Sequence, residues 1–267
     1  MISLLTDFGL VDASVGACRG VLATLAPGVP IADIGHMVPP FDVGRGARML
    51  EYAVPYYPAG TIHVAVVDPG VGTARRPVAI RTHRGDVLVG PDNGLLLWAA
   101  DRLGGIAAAV ELRADAYRLH PVSHTFHARD VFCPAAAHLA GGVPLESFGP
   151  PVDPSTLQRL PRAAPEIEDG ELRASVAYVA AFGNLHFDVL REDWRRAGLE
   201  GAATIAVAAD GWRREVPYRP TFGSVGAGEP VLLEDSFGHL CLAVNQGSAQ
   251  AALGLSVGAS VRFSRIR

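Results

Sequence analysis

The run HVAVVDPGVGTARRP, His63 to Pro77, decides how the first half of the chain is read. Val64, Ala65, Val66 and Val67 are apolar without a break, the pattern of a parallel strand buried on both faces. The run stops at Asp68, where Pro69, Gly70 and Gly72 force a loop at the strand's C-terminal end. Ligands of open α/β sheets gather at that end. Asp68 is therefore a carboxylate at a strand tip, with Arg75 and Arg76 in the same loop. An acid and a base so placed can face a pocket as a hydrogen-bonded pair. They can equally be a loop ion pair that only fixes the turn.

Working outward, the same pattern recurs. Ile2 to Thr6 reads as a strand that ends in Thr6-Asp7-Phe8-Gly9. Asp12 or Ser14 is placed to cap the next helix, whose apolar positions Val15, Cys18, Leu22 and Leu25 keep helical spacing. Val29 to Ile34 is the next strand, and Asp42 caps a helix through Ala47, Leu50 and Ala53. Further strands are expected over His63 to Val67, Val78 to Arg81, Val87 to Val89 and Ala107 to Leu112, with a helix over Leu95 to Leu103. This alternation predicts an α/β domain with a largely parallel sheet. Asp7, Asp68 and Asp92 each follow a strand, so their carboxylates are expected to converge. Taken singly, each is an ordinary turn residue.

Ser123 to Asp130 (SHTFHARD) precedes a helix through Phe132 to Leu139, with Asp130 as its expected N-cap. His124, His127 and Asp130 have a loose zinc-ligand pattern. No matching set occurs elsewhere, so no metal is expected. Pro150, Pro151, Pro154, Pro161 and Pro165 mark a change of texture, and the predicted domains are 1–160 and 171–267 with a linker at 161–170. The second half has short strands over 171–181, 185–190, 203–207, 230–233, 239–244 and 260–266, a turn at Phe182-Gly183-Asn184, a hairpin signal at Asp210-Gly211 and a short helix near 249–255. That pattern predicts a smaller all-β barrel or sandwich.

Composition sets bounds. Of 267 residues, 49% are hydrophobic and 19% charged, which suits a soluble globular protein with a sizeable core. A net charge of -4 gives no basic footprint for nucleic acid. No apolar run is long enough to span a membrane, and the N-terminus reaches Asp7 too soon for a signal peptide. Cys18, Cys133 and Cys241 are far apart without a CxxC spacing. Reduced thiols and a cytoplasmic location are expected. The richness in Ala, Gly and Arg over Lys is that of a high-GC bacterial genome.

Seven pieces together resemble one family. They are TDFG (Thr6 to Gly9), PPFD (Pro39 to Asp42), VVDPGVGTARRP (Val66 to Pro77), GPDNG (Gly90 to Gly94), TFHARD (Thr125 to Asp130), FGN (Phe182 to Asn184) and AVNQGSAQAALGLSVG (Ala243 to Gly258). In this order they resemble the S-adenosyl-L-methionine hydroxide adenosyltransferases, hydrolytic relatives of the fluorinase and chlorinase. The resemblance implies an α/β domain followed by a β-barrel-like domain. It also implies a homotrimer whose sites lie between the N-domain of one subunit and the C-domain of its neighbour. The implied reaction converts S-adenosyl-L-methionine and water into adenosine and L-methionine, with no cofactor. Mapped residue by residue, the hydrolytic set is Asp68, Arg75 and His127. Asp7 holds the ribose hydroxyls and Phe41 packs on the sugar. Asn184 and Phe222 meet adenine, and Asp12, Ser14 and Ser236 meet the methionine part.

Three departures qualify the match. Ala128 stands where the fluorinase has a halide-contacting serine and the hydrolases usually have glycine. With Arg75 and His127 present and no insertion after Asn93, the resemblance implies hydrolysis over halogenation. Family members usually carry an acidic residue just before FGN, against the substrate's ammonium, where this chain has Ala180-Ala181. Phe187-Asp188 replaces the usual Thr-Asn beyond FGN. Weak turnover, or a sensor that only binds S-adenosylmethionine or adenosine, is the alternative these changes leave open.

Overall fold

The structure is a computed structural model that describes residues 1–209 and 211–266. They form two compact units that divide between Leu160 and Pro161. The first contains β1 (Ile2–Thr6), α1 (Ser14–Leu25), β2 (Ile31–Gly35), α2 (Val43–Ala53), β3 (Ile62–Val66), β4 (Pro77–Thr82), β5 (Val87–Pro91), α3 (Leu97–Arg102), β6 (Ile106–Glu111) and α4 (Cys133–Ala140). A π-helical turn, Ala128–Phe132, leads into α4.

The six strands run in the order β2-β1-β3-β5-β4-β6. β1, β2, β3 and β5 pair in parallel, and β4 is antiparallel to both of its neighbours. The apolar run of β3 serves two cores. Val64 and Val66 pack with Cys18 and Leu22 of α1 and Ala136 of α4. Ala65 and Val67 pack with Leu50 of α2 and Trp98 of α3. Helices thus cover both faces, as the unbroken apolar strands require. β1 connects through α1 to β2 on one side, and the chain then returns through α2 to β3 on the other. The gap between β1 and β3 is the topological switch point, the place where such sheets bind ligands. Asp7 and Asp68 follow the two strands that flank it.

Local expectations need correction in four places. Asp42 does cap α2, accepting the Arg45 amide at 2.8 Å, but Ala13 occupies the N-cap of α1, and Asp12 instead accepts the Ser14 amide at 2.8 Å. Asp130 is no cap. It lies inside the π-helical turn, buried, accepting from Arg129 and from the Ser123 amide. Asp92 does not converge with Asp7 and Asp68, because Arg76 and the Gln158 amide take up its carboxylate. The segment expected as linker contains a strand, β7 (Glu166–Glu168).

The second unit continues with β8 (Glu171–Val179), β9 (Leu185–Leu190), α5 (Arg191–Arg196), β10 (Thr204–Ala209), β11 (Trp212–Pro217), β12 (Pro230–Glu234), β13 (His239–Val244), α6 (Ala249–Leu253) and β14 (Ser260–Arg265). Its antiparallel path is β11-β10-β14-β8-β9-β13-β12. A bridge from Tyr218 to Leu232 draws its two ends together, so the sheet is a nearly closed barrel. Leu172, Val176, Phe187 and Phe263 fill it. α5 was not expected; no strand was named over Trp212–Pro217, but the hairpin signal before it requires one, and β11 pairs antiparallel with β10. Asp210 of the expected hairpin lies outside the described residues.

Candidate active site

A cleft of about 240 Å³ opens over the ends of β1 and β3 in the first unit. Asp7, Phe41, Asp68 and His127 all line it. The reason lies in the local chain. The Asp68–Arg75 loop and the Ser123–His127 loop touch at Gly72, whose φ of +76° suits glycine. A Cβ there would stand 2.4 Å from the carbonyl oxygen of His124, so only glycine lets the two loops close on each other.

Arg75 holds the centre together. Its Nε donates to both oxygens of Asp68 at 2.9 Å, and its Nη2 also reaches Oδ2. The same Nη2 lies 3.0 Å from His127 Nδ1. The side chains of Asp68 and Arg75 are only 5% and 9% exposed, and the guanidinium lies over the Phe132 ring at 5.2 Å. Arg75 does not line the cleft itself; it stands behind Asp68 and His127 and sets their relative position. Burial, and then the adjacent Arg75 charge, pull the His127 pKa below its ordinary value, with Asp68 opposing. Nη1 of Arg75 is buried with no partner among the described residues.

The opposite part of the cleft is built on Asp7. One of its oxygens accepts the Phe41 amide at 2.9 Å, which leaves the other open. Phe41 has φ +67° and is 72% exposed. A bulky residue in the left-handed region is a strained outlier, here at the cleft wall. Phe8 and Phe126 meet edge to face at 5.8 Å beside it. These two rings, with Thr125, escaped the residue reading, although Phe8 and Phe126 stand inside the quoted TDFG and TFHARD motifs.

The other expected residues lie elsewhere. Asp12 is on the exposed approach to α1 and Ser14 is that helix's first residue, both outside the cleft lining. Asn184, Phe222 and Ser236 belong to the second unit. Asn184 follows the turn closed by Gly183, which tolerates no Cβ because Ser248 Oγ would be 2.0 Å away. Ser236 is on the β12–β13 hairpin, at the far end of the β9–β13 ladder from Asn184. Phe222 opens a short 3-10 turn and is 42% exposed. Among the described residues no group of three or more His, Cys, Asp or Glu side chains is disposed to hold a metal ion. Asp130, a member of the zinc-like pattern, is taken up by Arg129 and Ser123.

Comparison with known proteins agrees with this architecture. Family models described as the SAM hydroxide adenosyltransferase N-terminal and C-terminal domains match residues 2–149 and 174–262. The chain is 46% identical over 267 residues to an (R)-S-adenosyl-L-methionine hydrolase of Salinispora tropica, covering 98% of this chain and 97% of that one. It is 29% identical over 291 residues to a fluorinase of an Actinoplanes species, covering 99% and 97%. A solved structure of an uncharacterized conserved protein from Thermotoga maritima superposes with a TM-score of 0.93 at 32% identity, covering 99% and 100%. With both family models matched in order and a fluorinase the more distant relative, the chain belongs to the SAM hydroxide adenosyltransferase family.

Proposed function

We propose that the protein hydrolyses S-adenosyl-L-methionine at the ribose C5′, giving adenosine and L-methionine. One observation carries the reading: Asp68 and His127 line the same cleft and are bridged by a buried Arg75. The substrate's C5′ already bears a sulfonium, so methionine leaves as a neutral thioether. The water oxygen bonds to C5′ as the C–S bond breaks and its electron pair stays on sulfur. The reaction then has one proton to dispose of. Arg75 donates to His127 Nδ1, so the neutral ring carries its hydrogen on Nε2. Nε2–H holds the water oxygen, and Asp68, the acceptor facing the cleft, takes the proton. The step is a displacement that needs alignment and exclusion of bulk water. It needs neither a metal nor a redox cofactor.

Asp7 offers its open oxygen to the ribose hydroxyls, and Phe41 packs on the sugar. The cleft's 240 Å³ falls below the ~300–1,000 Å³ of a pocket that encloses a ligand, so it suits the ribose and the sulfonium carbons alone. We assign adenine to Asn184 and Phe222, and the methionine part to Asp12, Ser14 and Ser236, within a homotrimer in which a neighbouring copy's second unit covers the cleft. Exposed Leu10, Val11 and Met37 in the first unit and Phe182 and Phe237 in the second support such a covering. The Salinispora relative is named for the (R) form, and we extend that preference at sulfur to this chain. No described helix is long and apolar enough to cross a membrane. Three buried free thiols suit the reducing cytoplasm proposed for it.

The test is product analysis. Purified protein is incubated with each sulfonium epimer in oxygen-18 water, with and without chloride. The expected products are 5′-labelled adenosine and methionine in equal yield, independent of chloride. Chlorodeoxyadenosine would make the protein a halogenase. Tight retention without any product would make it a sensor.

A further inference from the structure

His36 has no place in the proposed reaction, yet it is buried against the Thr6–Gly9 loop that carries Asp7. Its side chain is 4% exposed and follows the end of β2. It grips the Thr6–Gly9 loop twice. Its carbonyl accepts the Gly9 amide at 2.7 Å, and its Nδ1 lies 2.9 Å from Thr6 Oγ1. Thr6 Oγ1 also accepts the Phe8 amide at 3.3 Å, and its hydroxyl hydrogen is free to be given to Nδ1. Nε2 lies 3.2 Å from Asp33 Oδ1, within ion-pair distance but without the alignment of a hydrogen bond. Asp33 is in turn held by Arg19 Nη1 at 2.9 Å. Two hydrogen bonds, Arg19 to Asp33 and His36 with Thr6, thus flank a close Asp33–His36 contact and end at the loop whose next residue is Asp7. Asp7 then fixes Phe41 through its amide.

We infer that His36 is a positioning residue for the ribose clamp, acting through the Thr6 hydroxyl to aim the open Asp7 oxygen. The inference rests on the reading of Asp7 as the ribose-binding carboxylate. Two features separate it from a packing role. The contact is a directed hydrogen bond at one ring nitrogen, and it meets the loop immediately before Asp7. Because the clamp grips the ribose equally before and during C–S cleavage, loosening it raises KM and leaves kcat alone.

The experiment compares three variants of the full chain. Thr6→Val removes the hydroxyl at constant shape. His36→Gln places an amide where Nε2 stood, and His36→Asn places one where Nδ1 stood. Hydrolysis kinetics are measured with S-adenosylmethionine, adenosine affinity by calorimetry, and melting temperature as a fold control. Thr6→Val and His36→Gln are expected to raise KM and the adenosine Kd by roughly fivefold to tenfold, with kcat within twofold. His36→Asn is expected to restore both to near the native values. Native KM and Kd in Thr6→Val and His36→Gln would overturn the inference while leaving the reading of Asp7 intact. Equal damage in all three, with kcat and melting temperature falling together, would make His36 a packing residue and also overturn it. If the native protein neither turns over S-adenosylmethionine nor binds adenosine, the underlying reading fails and the inference falls with it.

Discussion

Nη2 of Arg75 stands 3.0 Å from Nδ1 of His127. A guanidinium has no acceptor, so the contact is a hydrogen bond only while His127 Nδ1 is unprotonated. Burial and the Arg75 charge both favour that neutral ring by lowering its pKa. Acid protonates the ring and turns the contact into a donor–donor clash. The predicted kcat/KM profile is therefore flat above pH 6.5 and falls on the acid side, with a midpoint below the ordinary histidine value. Steady-state rates from pH 4.5 to 8 test this, and a midpoint above 6.5 would contradict it.

Arg75 uses Nε and Nη2 on Asp68 and shares Nη2 with His127. A lysine has one point charge and cannot hold both partners at fixed spacing. Arg75→Lys is expected to lower kcat by about 10²–10³, the usual loss when one preorganised donor goes, with KM changed less than threefold. Adenosine affinity should stay native, since no adenosine contact is assigned to Arg75. A variant with native kcat would show that the ion pair only fixes its loop.

Phe41 carries the strain at the cleft wall, with φ +67°. Replacing it with alanine removes the ring but keeps the Cβ in the left-handed region, whereas glycine removes both. Phe41→Gly is expected to be more stable than Phe41→Ala by about 1 kcal/mol, although glycine is ordinarily the poorer residue. Both variants should raise KM for S-adenosylmethionine. Chemical denaturation and kinetics on the pair decide it. Equal stability would mean the backbone at 41 is not strained by its side chain.

The parts of this molecule legible from residues alone are those written in a short period. The β3 run reads as a doubly buried strand because Val64 to Val67 must be apolar to serve two cores. Its stop at Asp68 is punctuated by Pro69 and Gly70. The pairing of Asp68 with Arg75 was open at that level, and geometry decides it. What stayed hidden depends on contacts between distant segments. Nothing near Asp92 says that Arg76 and the Gln158 amide claim it. The π-helical turn Ala128–Phe132 extends the helix N-terminally beyond its apolar run, so Asp130, which lies inside it, passes for a cap. His36 has no local signal, because its partner Thr6 is thirty residues earlier. The second unit was readable only as a set of strands. The roles of Asn184, Phe222 and Ser236 came from the family resemblance.

His63 offers a stability test remote from the cleft. It is fully buried in β3, with Ser3 Oγ 2.7 Å from Nδ1 and Asp86 Oδ1 3.5 Å from Nε2. Burial pushes its pKa down to about 4, against the pull of Asp86. The unfolded chain takes up a proton near pH 6.5 while the folded chain does not. Stability is thus fully present above 6.5 and is lost as pH falls towards 4, by roughly 3 kcal/mol at most. His63→Gln removes this titration and no other. The native-minus-variant difference in unfolding free energy should shrink over that window, and parallel curves would refute the assignment.

Ala180 stands just before FGN, where the family resemblance implies an acidic residue. It closes the turn before β9, donating its amide to Asn184 O at 2.9 Å and accepting the Gly183 amide at 2.8 Å. Its φ is not positive, and the first position of such a turn favours aspartate, so Ala180→Asp is expected to fold without loss of stability. On that expectation, a carboxylate there supplies a charge-assisted partner for the substrate's ammonium. KM for S-adenosylmethionine should fall about tenfold, while affinity for adenosine, which has no ammonium, should not move. Ala180→Asn has the same shape without the charge and should leave KM near native. If the aspartate variant leaves KM unchanged, the ammonium is met by another group and the alanine is not a defect. If KM falls equally with asparagine, the gain comes from the turn and not from charge.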